Sequence, residues 1–160
     1  MNLIKSEIFN QNIKIVIIAS RTNNFINQHL IEGATDILHR IGKIKLKQIK
    51  IIRTPGAYEI PLIAATLSSS KKYDAIIALG TIIKGETIHF KKIAFTVINS
   101  LLKISIKYII PIASGIIIAE TTNQAIERAG VKQGNKGSDA ALCVLEMIDI
   151  INSLKNTHNN

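Results

Sequence analysis

Short apolar runs alternate with amphipathic stretches along almost the whole chain. Ile13-Lys14-Ile15-Val16-Ile17-Ile18-Ala19 is β-branched and nearly continuous, as in a strand of a parallel sheet covered on both faces. Ile26, Leu30, Ala34, Ile37, Leu38 and Ile41 follow at helical spacing, and Gly42 is expected to end that helix. Ile49 to Ile52 predicts a second strand, stopped by Pro55-Gly56, and Ile60, Ile63, Ala64 and Leu67 mark the next helix. Ala75 to Leu79 predicts a third strand ending in a glycine turn at Gly80. Phe90, Ile93, Ala94, Val97, Ile98, Leu101 and Leu102 form the cleanest helical stripe. Ile112 to Ile118 predicts a fourth strand. Thr121-x-x-Gln124 reads as a capping box for a short helix closed by Gly130. A last helix is expected to bury Ala141, Val144, Met147 or Ile148, Ile151 and Leu154. Residues Leu3 to Phe9 are a candidate extra strand or arm, and Asn156 to Asn160 a frayed tail.

Strand and helix in alternation predict an α/β fold, a three-layer αβα sandwich with a central parallel sheet. The 160 residues, without repeat or linker, are expected to form a single domain. Ligands of such folds sit beyond the carboxyl ends of the strands. That rule nominates Ser20 to Asn24, Thr54 to Glu59, Gly80 to His89, and Ala113-Ser114 with the residues just after them.

Composition narrows the class. Apolar residues make up 47%, which opposes disorder, and no apolar run reaches the roughly 18 residues of a membrane span. Met1 to Glu7 lack the features of a secretory signal. A single cysteine, Cys143, excludes an internal disulfide, and mid-helix among apolar residues it is expected in the core. A cytoplasmic setting fits. The net charge of +9 comes from scattered lysines with only 4% aromatics, which reads as composition rather than a nucleic-acid surface.

The chemistry concentrates in four segments. Gly80 to Thr87 nearly spells a P-loop, but Glu86 stands where the phosphate-binding lysine belongs. What survives is a glycine turn able to offer N–H groups to one anion, or an ordinary turn. His89 is expected about one turn into the following helix, as a proton carrier near neutrality or as a capping histidine. Arg128, one of four arginines, suits a bidentate grip on phosphate or favourable placement at a helix C-terminus. Asp139 opens the last helix, where it either favours the helix end or orients a histidine. Glu59 either binds hydroxyls or does the same for its helix. No histidines or cysteine share a metal-ligand spacing, so no metal is expected.

Jointly, Pro55-Gly56-Ala57-Tyr58-Glu59-Ile60-Pro61, Ala78 to Phe90, Gln124 to Gly130 and Gly134 to Ala141 resemble, in order and spacing, the lumazine synthase family of riboflavin biosynthesis. The resemblance spans about Asn12 to Leu154 and implies a flavodoxin-like fold. It implies that a ribitylamino-pyrimidinedione amine condenses with 3,4-dihydroxy-2-butanone 4-phosphate: an imine forms, phosphate leaves, and the ring closes with loss of water. No cofactor is implied. His89 matches the proton-transfer histidine and Asp139 the acid that orients it. Arg128, Glu86 and Thr87 match the phosphate site, with the Glu86 carboxylate turned away. Ala57, Tyr58 and Glu59 match the hold on the ribityl chain and ring, Thr81, Ile82 and Ile83 the wall along the pyrimidine edge, and Lys136 a neighbour of the same site. The resemblance also implies a homo-oligomer, a pentamer with sites between subunits, assembled here into an icosahedral shell because Gly130 to Gly137 carries no insertion. Riboflavin synthase is an associated partner in that picture; nucleic acid and membrane are not.

Three positions depart from the family pattern. Thr22 and Ser114 stand where aromatic residues are usual, and Lys84 replaces an arginine. An aromatic stack contributes about 0.5–1.5 kcal/mol beyond burial, so pyrimidine affinity is expected to fall about tenfold. Thr22 and Ser114 also support a rival reading, a weakly active or non-catalytic shell protein. A flavin- or lumazine-binding module of the same fold is a further one. Retention of His89, Arg128 and Asp139 favours the enzyme.

Overall fold

The computed structural model describes residues 12–85, 89–130, 132 and 134–157. The candidate strand at Leu3 to Phe9, and Glu86 and Thr87 of the candidate phosphate site, lie outside the described residues. Four strands, β1 (Ile15–Ser20), β2 (Ile49–Thr54), β3 (Ala75–Ile83) and β4 (Ile112–Ala119), pair in the order β2-β1-β3-β4. Every pairing is parallel. The helices are α1 (Asn24–Asp36), α2 (Ile60–Ser70), α3 (Phe90–Tyr108), α4 (Thr122–Arg128) and α5 (Lys136–Thr157). The fold is the expected flavodoxin-like αβα sandwich.

Side chains alternate across each strand, so the continuous apolar runs feed two cores. Ile15, Ile17, Ile77 and Leu79 meet Leu30 and Ala34 of α1 and Ala141 and Val144 of α5. Val16, Ile18, Ile76 and Ala78 meet Ile60 and Ala64 of α2 and Ala94, Val97 and Leu101 of α3. The central strands are therefore apolar regardless of parity, which is why the sequence shows runs rather than alternation.

Several expectations change. Gly80 does not end β3; the strand runs on to Ile83 because Gly80–Ile83 pair with Ile116–Ala119. The turn lies at Gly85, whose φ of 93° is a conformation L residues avoid. Gly42 does end the first helix, as the cap after a π-helical last turn, Ile37–Ile41, but it does so at φ −74°, and the positive φ falls on Lys43. Ser114 is the third residue of β4 rather than part of a loop beyond it. On α5, Met147 and Leu154 are exposed, whereas Ile148 is buried. That helix also takes in Asn156 and Thr157 of the expected tail. Cys143 is exposed rather than core. Partial desolvation, then the Glu146 charge, raises its thiol above the usual range. Leu102 of the α3 stripe is also exposed.

Ile109 ends α3 in the left-handed region, at φ 52°, with its side chain 63% exposed. A β-branched residue there is strained, by about 1–2 kcal/mol, while its exposure returns little apolar burial. Ile109→Gly should therefore raise stability by about 1 kcal/mol net of glycine's own entropy cost. Thermal unfolding should show Tm rising by about 2–4 °C; a fall would mean the Ile109 side chain is packed in the native assembly.

Candidate functional site

The chain reverses direction across the sheet between β1 and β3, where β2 lies to one side and β4 to the other. This is the switch point at which open α/β sheets bind ligands. β3 pairs with β1 only as far as Leu79, while it pairs with β4 through Ile83. The β1-facing edge of Gly80–Ile83 thus has no strand partner among the described residues. The side chains of Thr81, Ile82 and Ile83 are buried. What these residues present along that edge is therefore backbone rather than side chain.

Buried polar groups hold this overhang in place. Thr81 Oγ1 donates to Asn27 Oδ1 at 2.7 Å. Asn27 Nδ2 in turn donates to the carbonyls of Ser20 at 2.8 Å and Thr22 at 2.7 Å. Asn23 Nδ2 donates to the Thr81 carbonyl at 3.0 Å. An unmade bond at a buried amide costs about 1–3 kcal/mol, so Asn27 fixes the loop after β1 to the end of β3. The loop after β2 joins them. Thr22 Oγ1 donates to the Pro55 carbonyl at 3.0 Å. The Glu59 carboxylate accepts from the Gly56 N–H at 2.9 Å, and a Cβ on Gly80 would touch Ala57 Cβ at 3.5 Å and Ser20 Cβ at 3.6 Å. Tyr58 stands out from this turn, 68% exposed. Thr22, Ala57, Tyr58, Glu59 and the 80–83 overhang therefore form one cluster.

A second cluster surrounds β4. Ala119 accepts from the Lys84 N–H on the β3 side. The alternating carbonyl of Ile118 accordingly points off the outer edge of the sheet, and there it accepts from Arg128 Nη1 at 2.6 Å. Arg128 is thus pinned at the outer edge of β4 by one of its five donors. Thr121 accepts from the Gln124 N–H and opens α4, and Gly130 with φ 119° follows its end, as expected, but the Gln124 side chain accepts from the Glu120 N–H rather than closing a capping box on Thr121. Lys136 and Asp139 lie in the first turn of α5, both exposed or partly so. A Cβ on Gly115 would lie 3.0 Å from the Lys136 carbonyl, which seats that turn across β4. Ser114, which is exposed, points to the opposite face of the strand.

The start of α5 depends on Asn135. Its Oδ1 accepts from the N–H groups of Gly137 at 2.8 Å and Ser138 at 3.0 Å. Its Nδ2 donates to the carbonyls of His29 at 2.9 Å and Ala129 at 3.0 Å. One side chain thereby caps α5 and ties it to α1 and to the end of α4, next to Arg128.

Residues 12–152 match the family model described as 6,7-dimethyl-8-ribityllumazine synthase. The chain belongs to that family. The chain is 64% identical over 140 residues to the 6,7-dimethyl-8-ribityllumazine synthase of Buchnera aphidicola subsp. Baizongia pistaciae (strain Bp), covering 88% of each protein. It is 53% identical to the protein so named in Buchnera aphidicola subsp. Schizaphis graminum (strain Sg), over 99% of this chain and 100% of the relative. Identity to the one from Blochmanniella pennsylvanica (strain BPEN) is 50%, over 98% of this chain and 99% of the relative.

Within this lumazine synthase family chain, the described candidate residues fall into two groups, one at the switch point and one around β4 and the start of α5, and no hydrogen bond or ion pair among the described residues joins a side chain of one to a side chain of the other. His89 is the N-cap of α3, exposed, rather than a residue one turn into the helix. Among the described residues, no hydrogen bond or ion pair joins it to Asp139 at the start of α5. Asn27, Asn135 and Glu120, the last bound to both Lys84 and Lys91, are polar residues at the site that the sequence did not single out. For Asn135 a local signal existed, since asparagine directly before a helix start is a favoured N-cap.

Proposed function

We propose that the chain catalyses the condensation of 5-amino-6-(D-ribitylamino)uracil with 3,4-dihydroxy-2-butanone 4-phosphate to 6,7-dimethyl-8-ribityllumazine, phosphate and water, the penultimate step of riboflavin biosynthesis. The observation that carries this transferase reading is the family match across 12–152. The edge of 80–83 at the switch point, which has no strand partner among the described residues, supports it, because a pyrimidinedione edge needs in-plane donors and acceptors.

The pyrimidine lies along the backbone of Thr81, Ile82 and Ile83, with Thr22 and the Ala57-Tyr58-Glu59 turn on the ring and ribityl chain. Amine attack on the ketone gives an imine with loss of water. His89 moves the protons, and Asp139 orients it. Arg128, with the Glu86 and Thr87 backbone, grips the phosphate that leaves. Ring closure expels a second water. Lys136 and Ser114 border the same site.

His89 immediately precedes Phe90, which shares a core with Ala57 and Ile82 of the switch-point cluster, whereas Arg128 is pinned to the outer edge of β4. A site using both is completed by a second copy, whose β4 edge faces the first copy's switch point. A head-to-tail contact of this kind closes into a ring when its rotation divides a full turn, as a five-membered ring requires. The reading is a pentamer, assembled into an icosahedral shell in the cytoplasm, with riboflavin synthase as a partner. Light scattering distinguishes shell from pentamer.

Mixing the purified chain with both substrates should give phosphate release and lumazine fluorescence in step. Neither signal would mean a non-catalytic homologue. Thr22→Phe should lower the pyrimidine KM about fivefold to tenfold through ring stacking, with kcat within about twofold. Thr22→Val removes only the bond to Pro55 and should not lower KM. An unchanged KM in Thr22→Phe contradicts the stacking account.

A further inference from the structure

We propose that Glu120 is a positioning residue for His89, drawing Lys84 and Lys91 onto one carboxylate and so fixing the start of α3 against the carboxyl end of β4. The inference rests on reading His89 as the proton carrier.

Glu120 follows β4 directly. Its Oε2 lies 3.1 Å from Lys84 Nζ and its Oε1 3.5 Å from Lys91 Nζ. Lys84 sits at the end of β3, five residues before His89, and Lys91 two residues after it. The anchor itself is fixed, because the Glu120 N–H donates to Gln124 Oε1 of α4 at 2.9 Å. The Lys84 N–H donates to the Ala119 carbonyl at 3.0 Å, so backbone and side chain hold the same place. Hydrogen bonding to Lys84, then the charges of Lys84 and Lys91, keep the Glu120 carboxyl below the usual carboxylate range.

The first turn of α3 explains why an outside carboxylate is needed. It carries Lys91 and Lys92 and no acidic residue. Two cations at the positive end of a helix oppose its dipole. His89, the N-cap, makes no side-chain capping bond. Glu120 supplies the missing negative charge across the gap from β4. Exposed ion pairs contribute little to global stability, so the consequence is local: without Glu120 the first turn of α3 frays and His89 loses its place. A reacting group displaced by about an ångström loses up to roughly 10²-fold in rate.

The test compares wild type, Glu120→Gln, Glu120→Asp and the exchange Glu120→Lys with Lys84→Glu. Glu120→Gln should lower kcat about tenfold, with the pyrimidine KM within about twofold and Tm within about 2 °C. Glu120→Asp keeps the charge and should recover part of kcat. The exchange should recover less, since it leaves Lys91 facing a new cation. Lys91→Met should cost little more in a Glu120→Gln background than Glu120→Gln alone. Amide hydrogen exchange should show faster exchange in the first turn of α3 in Glu120→Gln. An unchanged kcat, or a kcat loss that tracks a fall in Tm, overturns the proposal. If wild type itself turns over nothing, the proposed reaction fails, and unaltered exchange at α3 then overturns the positioning role separately.

Discussion

Gly137→Ala is expected to destabilise the chain by about 3 kcal/mol or more, lowering Tm by roughly 6–12 °C. A Cβ on Gly137 would sit 2.0 Å from the Leu30 carbonyl oxygen and 2.7 Å from its carbon. Those are backbone atoms of α1, which cannot swing aside as a side chain can. Alanine at an ordinary helix position would stabilise by about 1 kcal/mol relative to glycine, so the sign of the result separates the two effects. Relief of the clash requires α1 and α5 to part, and their shared core includes Leu30, Ala34, Ala141 and Val144. Asn135 bridges the same two helices, so the damage reaches the turn that carries Lys136 and Asp139. Gly134→Ala is the control. That residue has open space around it but a φ of 75°, so it should lose only about 1–2 kcal/mol through backbone strain. Equal losses in the two variants would show that backbone conformation, not helix approach, sets the cost.

The fold was legible because the parallel sheet writes itself as β-branched runs, and the helices between them as stripes. What misled was local chemistry taken alone. Gly80 looked like a turn, yet it is strand, held there by its pairing with Ile116 of β4. That pairing depends on residues far away in sequence. Ser114 falls inside the strand that the apolar run of Ile112 to Ile118 predicts, and its place among the ligand-loop segments was the error, since it is an exposed position along an edge strand. Cys143 and Met147 fall on the outer side of α5, which the one-dimensional spacing of an apolar-rich helix did not resolve. The candidate residues themselves were legible through motif order. A site divided between subunits was implied by the resemblance alone, since nothing local in the sequence says which edge of β4 Arg128 bonds. The polar scaffold was the least visible part. Asn27 reaches Thr81 across 54 residues and Asn135 reaches His29 across 106, and no local pattern signals either bond.

The second large effect concerns the proposed roles. His89→Ala should lower kcat about 10²-fold, the lower range for loss of a general acid–base group. Arg128→Ala should lower kcat/KM for the phosphate substrate about 10- to 100-fold, as loss of charged hydrogen bonds of about 1.5–3 kcal/mol implies. Its pyrimidine KM should change little. Arg128→Lys keeps the charge but not the planar fork, and should recover only part of the loss. Removing Arg128 also frees the Ile118 carbonyl, but this lies on an outer strand edge where water can replace the donor, so Tm should hardly move. Both steady-state measurements vary one substrate with the other saturating.

The division of the site is the central claim, and subunit mixing tests it most directly. His89→Ala and Arg128→Ala protomers, dissociated together and reassembled, should regain up to about a quarter of wild-type turnover, because in a randomly mixed head-to-tail ring that share of contacts joins an intact His89 to a neighbour's intact Arg128. A mixture no more active than the average of its two parents would contradict the shared site and place both residues in one protomer's centre.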